Sequence, residues 1–290
     1  SEGRKLAAEI RADEAPEMPE PIEVASNDPP RESPEISAVV ADTKPRLLPS
    51  VAASPPDKRR AAIKLVLVPA GEFYYGCKKN GEPCDAAEIP GRTVSLGPFR
   101  IDRTEVRVSE YRKCVDAGAC TAPGSADGCN WNMPNRGEHP VNCVDWTQAQ
   151  SYCKWVGKRL PTELEWEKAA RGVDGRAYPW GDAAPSCDQA VISTPDAAGC
   201  GADSTWPVAS RSMGRSPFGL FDMAGNVLEW TSDSAGSHDD ERVARGGSYR
   251  SAPRPVRTSS RDWLPAAMQD ASVGFRCAQD ASPVTASTGS

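Results

Sequence analysis

Ten cysteines set the strongest limit on what this chain can become. All lie between Cys77 and Cys277, and none falls in the first 76 residues. They do not form the paired CxxC units of a structural zinc site. Several can instead close short loops: Cys77 to Cys84, Cys114 to Cys120, Cys129 to Cys143, and Cys187 to Cys200. Each closed loop restricts the unfolded chain and contributes roughly 2–3 kcal/mol. Such bridges need an oxidising compartment, so an extracytoplasmic setting is expected: periplasmic, cell-surface or secreted. The alternative, ten reduced cysteines in a cytosolic protein, runs against the usual sparse and buried use of thiols.

The cysteine-free N-terminal stretch has a different character. Residues 1 to about 60 are rich in Pro, Ala, Glu and Asp and contain no aromatic residue. Ten prolines from Pro16 to Pro56 remove backbone donors and favour an extended chain. So little apolar surface cannot offset the entropy of ordering. The segment is expected to be a disordered acidic linker or spacer, with a short helix conceivable at Gly3–Asp13. Residues 281–290 read as a small polar tail. The chain starts at Ser1 rather than Met, so an upstream signal, lipobox, membrane helix or larger protein is expected as a tether. A formal net charge of −6 over 290 residues argues against nucleic acid, whose phosphates require a dense basic face.

Residues 61–280 carry the globular pattern. Lys64–Val68 reads as a strand, Pro69, Ala70 and Gly71 as a turn, and Phe73–Gly76 as the returning strand of a hairpin. Arg92–Leu96 and Phe99–Asp102 are further short strands. Asp145 with Gln148, and Thr162 with Glu165, have capping-box spacing. Each opens a helix with apolar residues at helical intervals, and Gly157 and Gly172 are placed to end them. A weaker helix covers Ser109–Ala117. Short strands are expected at Arg242–Tyr249 and Val273–Ala278. Few helices among many loops and short strands give an irregular α+β domain, low in regular secondary structure.

Eight segments in order resemble one known family. They are Leu67-Val-Pro-Ala-Gly-Glu-Phe73, Ile101-Asp-Arg-Thr-Glu-Val106, His139-Pro-Val-Asn-Cys-Val-Asp-Trp146, Ser151-Tyr-Cys-Lys-Trp-Val-Gly-Lys-Arg-Leu-Pro-Thr-Glu-Leu-Glu-Trp166, Tyr178-Pro-Trp-Gly181, Gly219-Leu-Phe-Asp-Met-Ala-Gly-Asn-Val-Leu-Glu-Trp-Thr231, Arg245-Gly-Gly-Ser-Tyr249 and Val273-Gly-Phe-Arg-Cys277. Together they resemble the formylglycine-generating, or sulfatase-modifying factor, family. The resemblance implies a variant of the C-type lectin fold and a Cys153–Cys277 bridge.

It also implies three kinds of site. The family's enzymes oxidise a sulfatase cysteine to formylglycine with oxygen and a copper(I) ion held by two cysteines, soft ligands for a soft ion. Here those positions hold Ser251 and about Val256, while Ser248 of the oxygen pocket is kept. No copper is expected. A related non-haem iron site would need a cluster of His with a carboxylate, and this chain has only His139 and His238. The family's calcium loop maps onto Asp222-Met-Ala-Gly-Asn-Val-Leu-Glu229. The side chains of Asp222, which stands where the family usually has Asn, and Glu229 would be ligands, with the carbonyls of Gly225 and Val227. Hard oxygens from a tight loop suit calcium; the alternative is a loop held by its own hydrogen bonds. A second family calcium site maps poorly onto Cys187–Val208, where a Cys187–Cys200 bridge would take the ion's place.

Arg245, Arg250, Arg254, Arg257 and Arg261 crowd the stretch where the catalytic cysteines would lie. Arg250, Arg254 and Arg257 are a candidate patch for an anionic peptide or glycan, or else ordinary salt-bridge partners. Trp131, Trp180, Trp206, Trp230 and Trp263 would line a groove or fill the core. Two functions stand: a binding or sensory module on a flexible stalk, its peptide, glycan or protein ligand unidentified, and a formylglycine-generating oxidase.

Overall fold

The computed structural model describes residues 64–77, 84–235 and 238–281. The linker over 1–60, its helix at Gly3–Asp13 and all but the first residue of the 281–290 tail lie outside them. Nine strands and three helices follow in chain order among the described residues: β1 (Leu65–Val68), β2 (Gly71–Tyr75), β3 (Arg92–Leu96), β4 (Phe99–Asp102), α1 (Val108–Asp116), α2 (Trp146–Trp155), α3 (Glu163–Arg171), β5 (Leu228–Ala235), β6 (His238–Arg245), β7 (Arg261–Pro265), β8 (Val273–Gly274) and β9 (Ala278–Asp280). They form an α+β architecture of three small sheets, ordered β1-β4-β9, β2-β3 and β7-β6-β5-β8.

The two capping boxes form as the spacing predicts. The Gln148 amide donates to Asp145 Oδ1 (2.8 Å) and the Asp145 amide to Gln148 Oε1 (3.0 Å). Thr162 and Glu165 make the same exchange at 3.2 and 2.8 Å. Gly172 ends α3 at φ 74°, and a Cβ there would stand 2.8 Å from the Pro217 ring. The weaker helix is α1, one residue earlier than expected.

Three strand expectations need correction. Pro69, Ala70 and Gly71 do not make a hairpin: β1 pairs with β4, and β2 with β3. The turn carries the chain from one sheet to another, and the buried Lys168 ammonium of α3 holds it by donating to the carbonyls of Pro69 and Gly71, 2.8 Å each. The Arg242–Tyr249 strand stops at Arg245, where Gly246 and Gly247 take φ of 96° and 65°. Val273–Ala278 splits. Val273–Gly274 lies parallel to β5, Ala278–Asp280 pairs with β4, and Phe275, Arg276 and Cys277 between them are buried.

Two apolar clusters fill the interior. One gathers Tyr111 of α1, Tyr152 of α2 and Phe275, with Tyr111 and Tyr152 stacked at 5.4 Å. The other packs Trp166, Ala169 and Ala170 of α3 against Val68, Phe99 and Ile101. All ten cysteines are paired, as Cys77–Cys84, Cys114–Cys120, Cys129–Cys143, Cys153–Cys277 and Cys187–Cys200. Four bridges close loops of 6 to 14 residues, whereas Cys153–Cys277 spans 124 and ties α2 to the residue just before β9. Because loop-closure entropy grows with loop length, replacing Cys153 and Cys277 together by Ala should lower the unfolding free energy by roughly 3–5 kcal/mol. The double Cys114→Ala, Cys120→Ala variant should lose less. Urea denaturation of the two variants measures the difference.

Candidate functional site

The segment after β6 builds the region to which the resemblance assigns chemistry. Gly246 and Gly247 turn the chain into Ser248, which is buried. The Ser248 amide donates to Ser251 Oγ (2.9 Å), and the Ser251 amide returns to the Ser248 carbonyl (2.9 Å). Ser251 thus closes a turn. Val256 ends a short 3₁₀ turn over Arg254–Val256 and is fully buried with Ala190, Ile192 and Ala224. A Cβ on Gly247 would lie 2.6 Å from Val256 Cγ1 and 3.2 Å from Ser251 Oγ. The side chains at 251 and 256 therefore flank one glycine. They stand together in space, one a hydroxyl and the other a hydrocarbon, with no thiolate to grip copper(I).

The arginines do not form a receptive patch. Arg257 is buried and forks onto Glu88, 2.9 Å to each oxygen, with Asp85 at 3.4 Å. Arg254 pairs with Asp85. Both carboxylates come from the segment just after the Cys77–Cys84 bridge, so charge partners some 170 residues upstream neutralise these two cations. Arg245 is fully buried, donating to the carbonyls of Thr258, Ser259 and Ser260 and to Glu167. Arg261 pairs with Glu163 at 2.9 Å. Arg250, half exposed like Arg254, differs in its looser pairing: it lies over the Tyr249 ring at 5.1 Å and has Asp270 at 3.7 Å. Nor do the five tryptophans share a groove. Trp131 and Trp230 are core, Trp180 stacks on Tyr178, Trp206 lies under Arg211, and Trp263 is exposed on β7.

The loop from Asp222 to Glu229 is tightly built. Asp222, Gly225 and Asn226 all have positive φ, and a Cβ on Gly225 would meet the Val191 carbonyl at 2.3 Å. The Asn226 side chain accepts from the Trp206 amide (3.0 Å) and donates to Glu105 Oε1 (2.9 Å). Asp222 Oδ2 accepts from the Ala209 amide at 2.6 Å. Glu229 is fully buried: its Oε1 accepts from Arg276, and its Oε2 from Arg276 and the Trp166 indole, at 2.6–2.7 Å. Glu229 Oε1 has a single donor among the described residues, Arg276. Burial pushes the Asp222 carboxyl up, and burial followed by the nearby Asp222 charge pushes Glu105 well up.

Glu105 was missed as a functional candidate. It lies between Thr104 and Val106 at the junction of β4 and α1, and nothing in that local pattern sets it apart from Asp102 three residues earlier. His139 is buried, with Nδ1 2.9 Å from Thr205 Oγ1 and 3.0 Å from Arg136; burial and then the Arg136 charge lower its pKa to about 4. It serves a packing network, not an iron cluster. Among the described residues, Cys77, Cys84 and Glu88 converge as metal ligands would, but the two sulfurs are joined and Glu88 holds Arg257.

The chain as a whole is similar to known proteins. The sulfatase-modifying factor enzyme 1-like domain matches residues 51–281. The formylglycine-generating enzyme of Streptomyces coelicolor is 34% identical over 294 aligned positions, covering 78% of this chain and 92% of the relative. A Bos taurus protein named inactive C-alpha-formylglycine-generating enzyme 2 is 39% identical over 271 positions, covering 76% and 89%. The structure of PvdO from Pseudomonas aeruginosa superposes with a TM-score of 0.64 at 24% identity, over 75% of this chain and 94% of that one.

Two outcomes are expected. Arg276→Leu should destabilise the fold by roughly 3–5 kcal/mol, because it strands Glu229 as a buried unpaired charge; adding Glu229→Gln should recover part of that in thermal or urea unfolding. His139 has a folded pKa of about 4, below its unfolded value. The unfolded state therefore takes the proton first as pH falls through about 6.5, and stability is lost from there down to about pH 4. The loss should be smaller in His139→Gln, read as the urea midpoint against pH.

Proposed function

The chain belongs to the sulfatase-modifying factor enzyme 1-like domain family, and we propose that within it this protein is a non-catalytic, extracytoplasmic module that binds a ligand without oxidising it. The observation that carries the reading is the state of its sulfur. All ten cysteines are in bridges and none is free, and the positions of the family's copper ligands hold Ser251 and Val256. Oxidation of a cysteine by oxygen needs a redox-active centre, and neither a neutral hydroxyl nor a valine retains a soft monovalent metal. The bovine relative named as inactive supports the same reading. So do five disulfides, which favour an oxidising compartment.

For the ligand we propose a peptide, glycan or protein carrying an anionic group, met by Arg250 beside Tyr249. That cation is half exposed and weakly paired, whereas Arg254 and Arg257 are held by Asp85 and Glu88. The module would sit on the acidic N-terminal segment as a stalk.

We also propose calcium in the loop, held by the Asp222 and Glu229 side chains and the Gly225 and Val227 carbonyls. The donor set fits: all the ligands are hard oxygens, and the buried carboxylates nearby outnumber the one guanidinium among them. A bound ion would supply positive charge and rigidity, not chemistry on a substrate.

The second reading, an active oxidase, is favoured by the name of the Streptomyces relative. Thiol titration of the unreduced protein in denaturant separates the two. The module should give no thiols and no turnover of a cysteine-containing sulfatase peptide; two thiols that take up copper(I), with turnover, would sink it. Calcium at a hundred times its Kd should add about 2.7 kcal/mol of stability, and chelation should remove it, read as a lower melting temperature.

A further inference from the structure

The turn that follows α3 borders a cavity of its own. The cavity holds about 250 Å³ and is lined by Asp174, Gly175, Arg176, Trp180, Gly181 and Asp182. The backbone around it is fixed from two sides. The buried Arg171 donates to the carbonyls of Gly175 and Arg176 at 3.2–3.5 Å. Thr258 donates through its amide to the Ala177 carbonyl (2.8 Å) and through its hydroxyl to the Arg176 carbonyl (2.9 Å). Tyr178 and Gly181 exchange backbone hydrogen bonds at 2.9 and 3.0 Å. The Trp180 ring lies parallel to Tyr178 with centroids 5.3 Å apart, and its indole N–H donates to the Ala183 carbonyl at 3.0 Å. A ligand would therefore meet a surface ordered in advance, with little further ordering to oppose binding.

The rim offers both kinds of hydrogen-bonding group. Arg176 forks onto Asp174 through Nε and Nη2 and gives one Nη1 hydrogen to the Pro179 carbonyl. Two of the five N–H groups of a guanidinium then remain. Asp182 accepts the Ala177 amide on Oδ1 at 2.8 Å, and its Oδ2 has no partner among the described residues. An acceptor, a pair of donors and an aromatic ring thus border one small space. That combination discriminates between ligand classes. An anion would lie against two carboxylates. A cation would lie against Arg176, which already answers Asp174. An apolar group would leave the rim's donors and acceptors unmet. A pyranose ring answers all of them: its hydroxyls both donate and accept, and its C–H groups suit the negative face of an indole. The volume lies below the roughly 300 Å³ at which pockets for drug-sized ligands begin, which fits one ring and not a chain.

We propose that this cavity is a subsite for a single neutral pyranose ring, with Trp180 as its apolar wall, Asp182 as acceptor and Arg176 as donor. It stands on different residues from the anion contact at Arg250, so either can fail without the other.

The test is saturation-transfer NMR on the full chain, with the methyl glycosides of glucose, galactose, mannose and N-acetylglucosamine as probes. A ligand of about a dozen heavy atoms at ordinary efficiency binds in the millimolar range, which that method reads. At least one glycoside should bind, and Trp180→Leu should abolish its signal. Asp182→Asn keeps an oxygen for the Ala177 amide and puts a donor where Oδ2 stood. It should weaken binding roughly tenfold with an unchanged melting temperature, which separates lost recognition from lost folding. Three results would each overturn the proposal: no glycoside bound by the folded wild type, wild-type affinity in Asp182→Asn, or a blocked lysine bound more tightly than any glycoside.

Discussion

A guanidinium with no access to water organises this domain. Arg276 binds both oxygens of Glu229 on β5, the carbonyl of Asp102 at the end of β4 and the carbonyl of Phe221 ahead of the loop. It sits between Phe275 and Cys277, so the ring cluster of α1 and α2 and the long bridge to α2 flank it directly. Desolvating such an ion is costly, and its attraction to Glu229 repays that cost only with near-ideal geometry and every donor answered. The hydrogen bonds to Glu229, Asp102 and Phe221 engage four of its five N–H donors. Once they do, two sheets, a loop and the closing strand cannot move independently.

The same principle recurs on α3. Glu163, Glu165, Glu167, Lys168 and Arg171 are all buried, an unusual density of charge for an interior helix. Glu167 lies between Arg171 and Arg245 and also accepts from the Gly76 amide at 2.6 Å, while Lys168 holds the turn between β1 and β2. In a domain with little regular secondary structure, many backbone carbonyls lack ladder partners. Buried cations with several donors answer them. Arg245 alone satisfies three consecutive carbonyls. The arginine-rich stretch is thus an internal scaffold through Arg245 and Arg257, with Arg250 and Arg254 half exposed.

The sequence was legible where interactions are local. Asp145–Gln148 and Thr162–Glu165 signal helix starts within four residues, and Gly172 signals a stop. Cysteine spacing indicated four of the five bridges, and the fifth followed from the family resemblance. Partners distant in the chain were illegible. Nothing near Arg257 announces that Glu88 will neutralise it, and nothing near Pro69 announces Lys168. The strand between Val273 and Ala278 misled because its residues are uniformly apolar or buried, yet its two halves belong to different sheets. For the site, the motif spans a tight loop at Asp222 and the start of β5 at Glu229. Glu105 entered only through three dimensions, where its buried Oε2, an acceptor without a donor, becomes visible.

The register of the β1-β4-β9 sheet has a mechanical consequence. Leu65 opens β1 opposite Asp102, and Asp280 closes β9 opposite Phe99. Both outer strands run antiparallel to β4, so the chain enters this sheet at one end and leaves it at the other. Tension drawn through the two ends would load the ladder bonds in parallel along the strand axis, rather than peel them apart in sequence. Pulled along the line from Leu65 to Asp280, the domain therefore resists in shear, the direction in which a strand ladder is strongest.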